Sequence, residues 1–306
     1  MRVIMQLTLV SVLAGAATLV AQIPVEGPVE THATISVEAK QPLQLDPTMI
    51  KVEVNGHQTP LTNLSRVRPS SAQVAILIDD GLRTSFANQL GDMKQFITSL
   101  PPGVQVLVGY MRNGSVDTSG GFSTDHAAVA GMLHVPLSSA GISGSPYFCL
   151  SDFAKKWPSS DPGVRFVLML TNGVDPYNGS TSIANQDSQY VEAAQNDAAR
   201  AGIAVYAIAY HDAGMRGESA SFSGQGYLQQ VADATGGRSL YNGSLNPVSL
   251  TPFLKEFNSA IAESYTATFM ASANHEKANT LTRLKITTSQ PKLKLHAPEE
   301  VHPGGQ

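Results

Sequence analysis

The chain has 306 residues, 42% hydrophobic and 14% charged, with a formal net charge of −4. This is enough for one large domain plus a small one, and the weakly acidic balance argues against nucleic acid or an anionic membrane as partner. Cys149 is the only cysteine, so no internal disulfide forms; its apolar setting, Tyr147-Phe148-Cys149-Leu150, reads as a buried structural thiol rather than a nucleophile.

Residues 1–22 read as a secretory signal: Arg2 precedes an apolar stretch from Leu7 to Val20 with small residues near its end. Cleavage after Ala16 satisfies the small-x-small rule through Ala14, whereas cleavage after Ala21 puts Leu19 at the third-last position and fits less well. A retained anchor is the rival reading, but the apolar run is short for a span. No cysteine follows the apolar core, so attachment through a lipidated cysteine is excluded. The mature chain is therefore expected in the periplasm or outside the cell, with no membrane span.

Residues 23–70 form an N-terminal β segment. Thr34-Ile35-Ser36-Val37-Glu38 alternates, and Met49 to Val54 alternates again before the turn Asn55-Gly56. Residues 71–264 switch to apolar strands alternating with helices. Strands are expected at Val74 to Ile78, Val104 to Tyr110, Phe166 to Leu170, Ile203 to Tyr210 and Arg238 to Tyr241. Helices are expected at Thr84 to Leu100, at Asp125 to Leu133 capped by Ser123 or Thr124, and at Pro146 to Trp157. Three more are expected at Ser188 to Ala201, Tyr227 to Thr235 and Thr251 to Ser264, two of them stopped by glycine. Residues 265–306 return to a β pattern at Tyr265 to Met270, Leu281 to Thr287 and Leu293 to Leu295. The fold class is therefore α/β, a doubly wound, mostly parallel sheet. Its N- and C-terminal flanks pack together as a small β module; two separately disordered ends are the alternative.

The junction at the end of the first α/β strand is the most informative. An apolar run stopping at Asp79-Asp80-Gly81-Leu82-Arg83 puts a carboxylate at the carboxyl end of a buried strand, where open α/β sheets bind ligands. Several of the Gly/Ser/Asn-rich stretches Asn113 to Ser123, Ser138 to Ser145, Val174 to Gln189 and His211 to Gly226 are expected to gather on one rim. Tyr147, Tyr177, Phe222 and Tyr227 are the aromatic candidates there, each as readily explained by packing.

The order of elements resembles a von Willebrand factor type A domain, in the variant found in exported bacterial proteins. The resemblance rests on the strand ending at Asp79, on Phe166 to Gly173, on Ala201 to Ile208 and on Val231 to Arg238. It implies a rim site related to the family's metal-ion-dependent adhesion site, whose first loop reads Asp-x-Ser-x-Ser. In that site a threonine and a second aspartate complete the ligands of a magnesium ion. Here Asp79 matches the first aspartate, Gly81 and Arg83 stand where the serines should be, Ser145 takes the threonine's place, and Asn172 replaces the second aspartate. If any metal remains, its ligands are Asp79, Ser145 and Asn172, with Asp80 or Asp175 compensating from positions outside the family pattern. Arg83 is expected to pair with Asp79 and fill the cation's space; the rival is that it points to solvent and a weakened metal site survives.

Signals for catalysis are mostly negative. Gly141-Ile142-Ser143-Gly144-Ser145 fails as a nucleophile elbow at its last position. His211-Asp212 reads as loop chemistry more readily than as an acid–base pair. Asn63, Asn113, Asn178 and Asn242 begin Asn-x-Ser sequences, three of them Asn-Gly-Ser, which mark tight turns. The resemblance implies a non-enzymatic adhesion module with no cofactor beyond weak magnesium, binding a protein or cell-envelope macromolecule through its upper loops. A metal-dependent adhesion domain with unusual ligands and an exported hydrolase with an unrecognised site are the alternatives.

Overall fold

The computed structural model describes residues 27–39, 41, 43–138, 144–178, 187–211, 217–241, 243, 246–272 and 280–305, the side chains of 217–222 excepted. The leader, Asp212 and Asn242 lie outside these residues. In chain order, β1 (Val29–Ala39), β2 (Ile50–Val54), β3 (His57–Thr59) and β4 (Leu61–Arg66) lead into β5 (Ala72–Asp79). A 3-10 turn, Thr84–Gln89, runs into α1 (Leu90–Ser99), followed by β6 (Gln105–Arg112), β7 (Ser115–Thr118), α2 (His126–Gly131) and α3 (Pro146–Lys155). Then come β8 (Val164–Thr171), α4 (Gln189–Arg200), β9 (Ile203–Ala209), α5 (Gly217–Ala234), β10 (Ser239–Leu240) and α6 (Thr251–Ala262). The last strands are β11 (Ser264–Ala271), β12 (Thr282–Thr288), β13 (Leu293–His296) and β14 (Glu300–Val301).

The six-stranded sheet has the order β10-β9-β8-β5-β6-β7, parallel throughout except for β7. The chain starts in the middle, winds to one edge, crosses back and winds to the other, so the sheet is doubly wound with its switch point between β5 and β8. Pleating divides β5 between two cores. Val74, Ile76 and Ile78 pack with α1, α2 and α6 through Met93, Phe96, Val129 and Phe257. Ala75 and Leu77 pack on the other face with α3, α4 and α5 through Leu150, Phe153, Val191 and Val231. A strand covered on both faces has no position for a polar residue until it ends, which is why the apolar run is unbroken from Val74 to Ile78.

Strands from the two ends of the chain alternate in one remaining sheet, β13-β1-β11-β4, and in the other, β14-β12-β2-β3, two C-terminal strands join two N-terminal ones through the β12–β2 pairing. Their inner faces share one core, with Ile35 and Val37 of β1, Val52 of β2, Phe269 of β11 and Ile286 of β12. The Asn55-Gly56 turn has both residues at positive φ, 51° and 79°, as a two-residue hairpin requires. This β module is tied to the α/β sheet by the Tyr206 hydroxyl on Ser36 at 3.1 Å, by Glu299 N–H on the Ala234 carbonyl, and by Arg238. The Arg238 guanidinium pairs with Glu256 at 2.9 Å and Glu38 at 3.5 Å.

Several elements differ from expectation. α2 is capped by Asp125, whose side chain accepts from Ala128 N–H, while Ser123 accepts from Asp125 N–H one turn earlier. The stretch from Asn113 to Ser123 is only partly loop: its Asn113-Gly114 pair makes a tight turn at the carboxyl end of β6 and Ser115–Thr118 returns as edge strand β7. Helix α5 begins ten residues before Tyr227, within a Gly/Ser-rich stretch that reads as loop.

Candidate functional site

β5, β6, β8 and β9 all run the same way, so Asp79, Arg112, Thr171 and Tyr210 emerge on one edge of the sheet. Asp79 is buried there, 4% exposed. Its Oδ1 accepts from Gly81 N–H at 2.9 Å, and its Oδ2 accepts from the Thr171 hydroxyl at 2.7 Å. Thr171 Oγ1 in turn accepts from Gly173 N–H at 3.2 Å. The pairing Ile78↔Leu170 makes Asp79 and Thr171 the next residues along the two strands. Thr171 is the site residue that the motif comparison passes over; aligning the ends of the two apolar runs would have found it.

Asp80 faces a different loop. Its Oδ1 accepts from Leu137 N–H at 2.7 Å and its Oδ2 from the Ser138 hydroxyl at 2.5 Å, with Arg112 Nη1 3.6 Å away. Tyr110 fixes the same segment from below: its hydroxyl donates to the His134 carbonyl and accepts from His134 N–H, and the two rings stack at 3.8 Å. Asp175 serves the next loop, accepting from Tyr177 N–H at 3.1 Å and from the Ser188 hydroxyl at 2.9 Å. Asn172 turns back on its own chain, accepting from Val174 N–H at 2.9 Å. Ser145 is the N-cap of α3, its oxygen accepting from Tyr147 N–H. The Tyr147 hydroxyl donates to the Gly173 carbonyl at 2.7 Å, which joins the Ser145 and Asn172 loops. Arg83 stands exposed at the entry of the 3-10 turn.

Two glycines let α5 close down on this edge. A Cβ on Gly224 would meet the Asn172 carbonyl oxygen at 2.2 Å, and one on Gly173, where φ is +69°, would meet the Gly224 oxygen at 2.5 Å. Backbone therefore packs on backbone here, and only glycine leaves the room. Of the four aromatic candidates, Tyr147 and Tyr227 are buried, with rings in edge contact at 6.0 Å. Tyr177 is exposed and packs with Phe148 and Tyr190. The Phe222 side chain lies outside the described residues.

The donor set fits a divalent ion badly. Magnesium wants about six oxygens in near-octahedral geometry, whereas Asp79, Asn172 and Ser145 already accept from N–H and O–H groups of the fold. Among the described residues no group of three or more His, Cys, Asp and Glu is arranged to hold a metal.

No family model and no curated protein matches the chain. Among solved structures it is similar to a von Willebrand factor type A protein from Catenulispora acidiphila, at 12% identity and a TM-score of 0.47, covering 92% of this chain and 74% of that one. It is also similar to an aerotolerance-related membrane protein from Bacteroides fragilis, at 14% identity and a TM-score of 0.43, covering 62% and 98%. The pilus adhesin SpaC from Lactobacillus rhamnosus GG aligns at 11% identity and a TM-score of 0.46, over 86% and 46%. At these values the likeness carries nothing about the rim. The sheet's own order, with Asp79 ending its first strand, is the doubly wound, mostly parallel arrangement read from the sequence.

Proposed function

We propose that the chain is an exported, non-catalytic module that binds a protein or cell-envelope macromolecule through the carboxyl-end rim of its sheet, without a divalent cation. One observation carries this reading: the rim acids are engaged as struts. Asp80 and Asp175 each hold the backbone amide of a residue, Leu137 and Tyr177, whose side chain is 75% and 58% exposed. Tyr241, just past β10, and Val248, before α6, are exposed on the same edge. Four of the six large hydrophobics exposed among the described residues therefore stand at this rim, where anchors for a partner belong. The nucleophile inventory supports a non-catalytic role. Burial pushes the Cys149 thiol up to about 12, and burial likewise lowers the pKa of His211, whose Nε2 contacts the Gln225 amide at 2.8 Å.

Thermal unfolding tests the cation. Saturating magnesium or manganese should leave the midpoint unchanged, because an ion stabilises only a fold that binds it; a saturating rise would favour the metal-dependent alternative. A photo-crosslinking residue at Leu137 or Tyr177 should capture one partner equally with chelator and with magnesium. Capture of that partner from Met49, in the β module, as efficiently as from the rim would overturn the assignment.

A further inference from the structure

At the opposite edge of the α/β sheet, where β5 and β6 begin and α6 ends, lies a cleft of about 370 Å³. Its floor is Ala72, Val104 and Ile261, all buried, and its walls include Pro69 and Pro101. The prolines present no backbone N–H, and apart from the arginines Asn258 is the one polar side chain in the lining. Two arginines stand at the mouth, in different states. Arg66 is engaged, its Nε donating to the Ala262 carbonyl and its Nη2 to Glu263 at 2.6 Å. Arg68 caps a 3-10 turn with its backbone, and among the described residues no carboxylate pairs with its exposed guanidinium.

We infer that this cleft binds a small monocarboxylate with an apolar body, of the medium-chain fatty-acid kind. The carboxylate sits on Arg68 and the hydrocarbon lies over Ala72, Val104 and Ile261. The volume lies within the range of small-ligand sites, about 300–1,000 Å³. A guanidinium forks onto a carboxylate with two parallel hydrogen bonds. Of the two arginines at the mouth only Arg68 lacks a carboxylate among the described residues, so a second charge on the ligand would go unpaired over a mostly apolar lining. The site is remote from the rim, and its failure would leave the rim reading untouched.

The test is a titration of the full chain with octanoate and with octanol, followed by methyl resonances of Val67, Val104 and Ile261. Octanoate should shift them saturably, and octanol, which cannot form the charge pair with the exposed Arg68 guanidinium, should bind about tenfold more weakly, roughly 1.4 kcal/mol. Arg68→Gln should remove the preference for octanoate, and Arg68→Lys should restore part of it. Equal affinity for octanol, an undiminished preference in Arg68→Gln, or shifts confined to methyl groups outside the cleft would each overturn the inference.

Discussion

Thr171 and Asp79 show how a single hydroxyl shapes the rim. Thr171→Val keeps the volume but removes the donor to a buried carboxylate, which should cost about 1–3 kcal/mol, measured by urea unfolding against the parent. Cys149 gives a pH signature. Its thiol is held up to about 12 in the fold, whereas an unfolded cysteine ionises near 8.5. The folded state therefore keeps its proton where the unfolded chain loses it. The contribution to stability is complete below about pH 8.5 and is lost as pH rises toward the folded value. Iodoacetamide should accordingly label Cys149 only on unfolding, and Cys149→Ala should flatten the alkaline slope of stability. At this scale the motif comparison located Asp79 and Asn172 on the rim. It could not show that Thr171 reaches Asp79, because that contact depends on the register of two strands far apart in the chain.

Helix ends and edge strands were harder to read than the buried interior. Four strands of the inner α/β pattern, β5, β6, β8 and β9, were legible because continuous apolar runs have few other uses, whereas β10 is only Ser239–Leu240. β3, β4 and β7 were not, since their exposed, short alternations resemble loop. The start of α5 escaped because a Gly/Ser-rich stretch has low helical propensity, and its glycines answer to the neighbouring Asn172-Gly173 backbone. The start of α6 depends on another element altogether. Asp92 of α1 accepts from the Ser249 hydroxyl, Leu250 N–H and Thr251 N–H. These bonds, the Ser249 hydroxyl first, lower its pKa. Asp92→Ala should cost about 0.5–2 kcal/mol as a lost cap. The Asp92 contribution is present above roughly pH 4, the unfolded value, and fades as pH falls through the lower folded one. Acid titration of stability in Asp92→Asn should lack that component.

For the molecule as a whole, the β module has no self-sufficient half. β1 has β11 and β13 as its neighbours, and β2 pairs with β12. Truncation after Ala271 should therefore strip β2 of a partner and open the core around Val52 and Ile35. The expected outcome is loss of soluble, cooperatively unfolding protein, read by circular dichroism; a truncated chain with unchanged cooperativity would contradict the pairing. The rim and the stability of this module can then be perturbed separately.

Register pairs Val29 with Ala271 and Glu38 with Lys294, so the first strand synthesised must wait for nearly the last before it can be zipped in. A nascent chain can complete the central sheet early, but its leading segment stays open until translation has almost finished. Such long-range closure is slow, so β1 is among the last segments of the fold to lock in place.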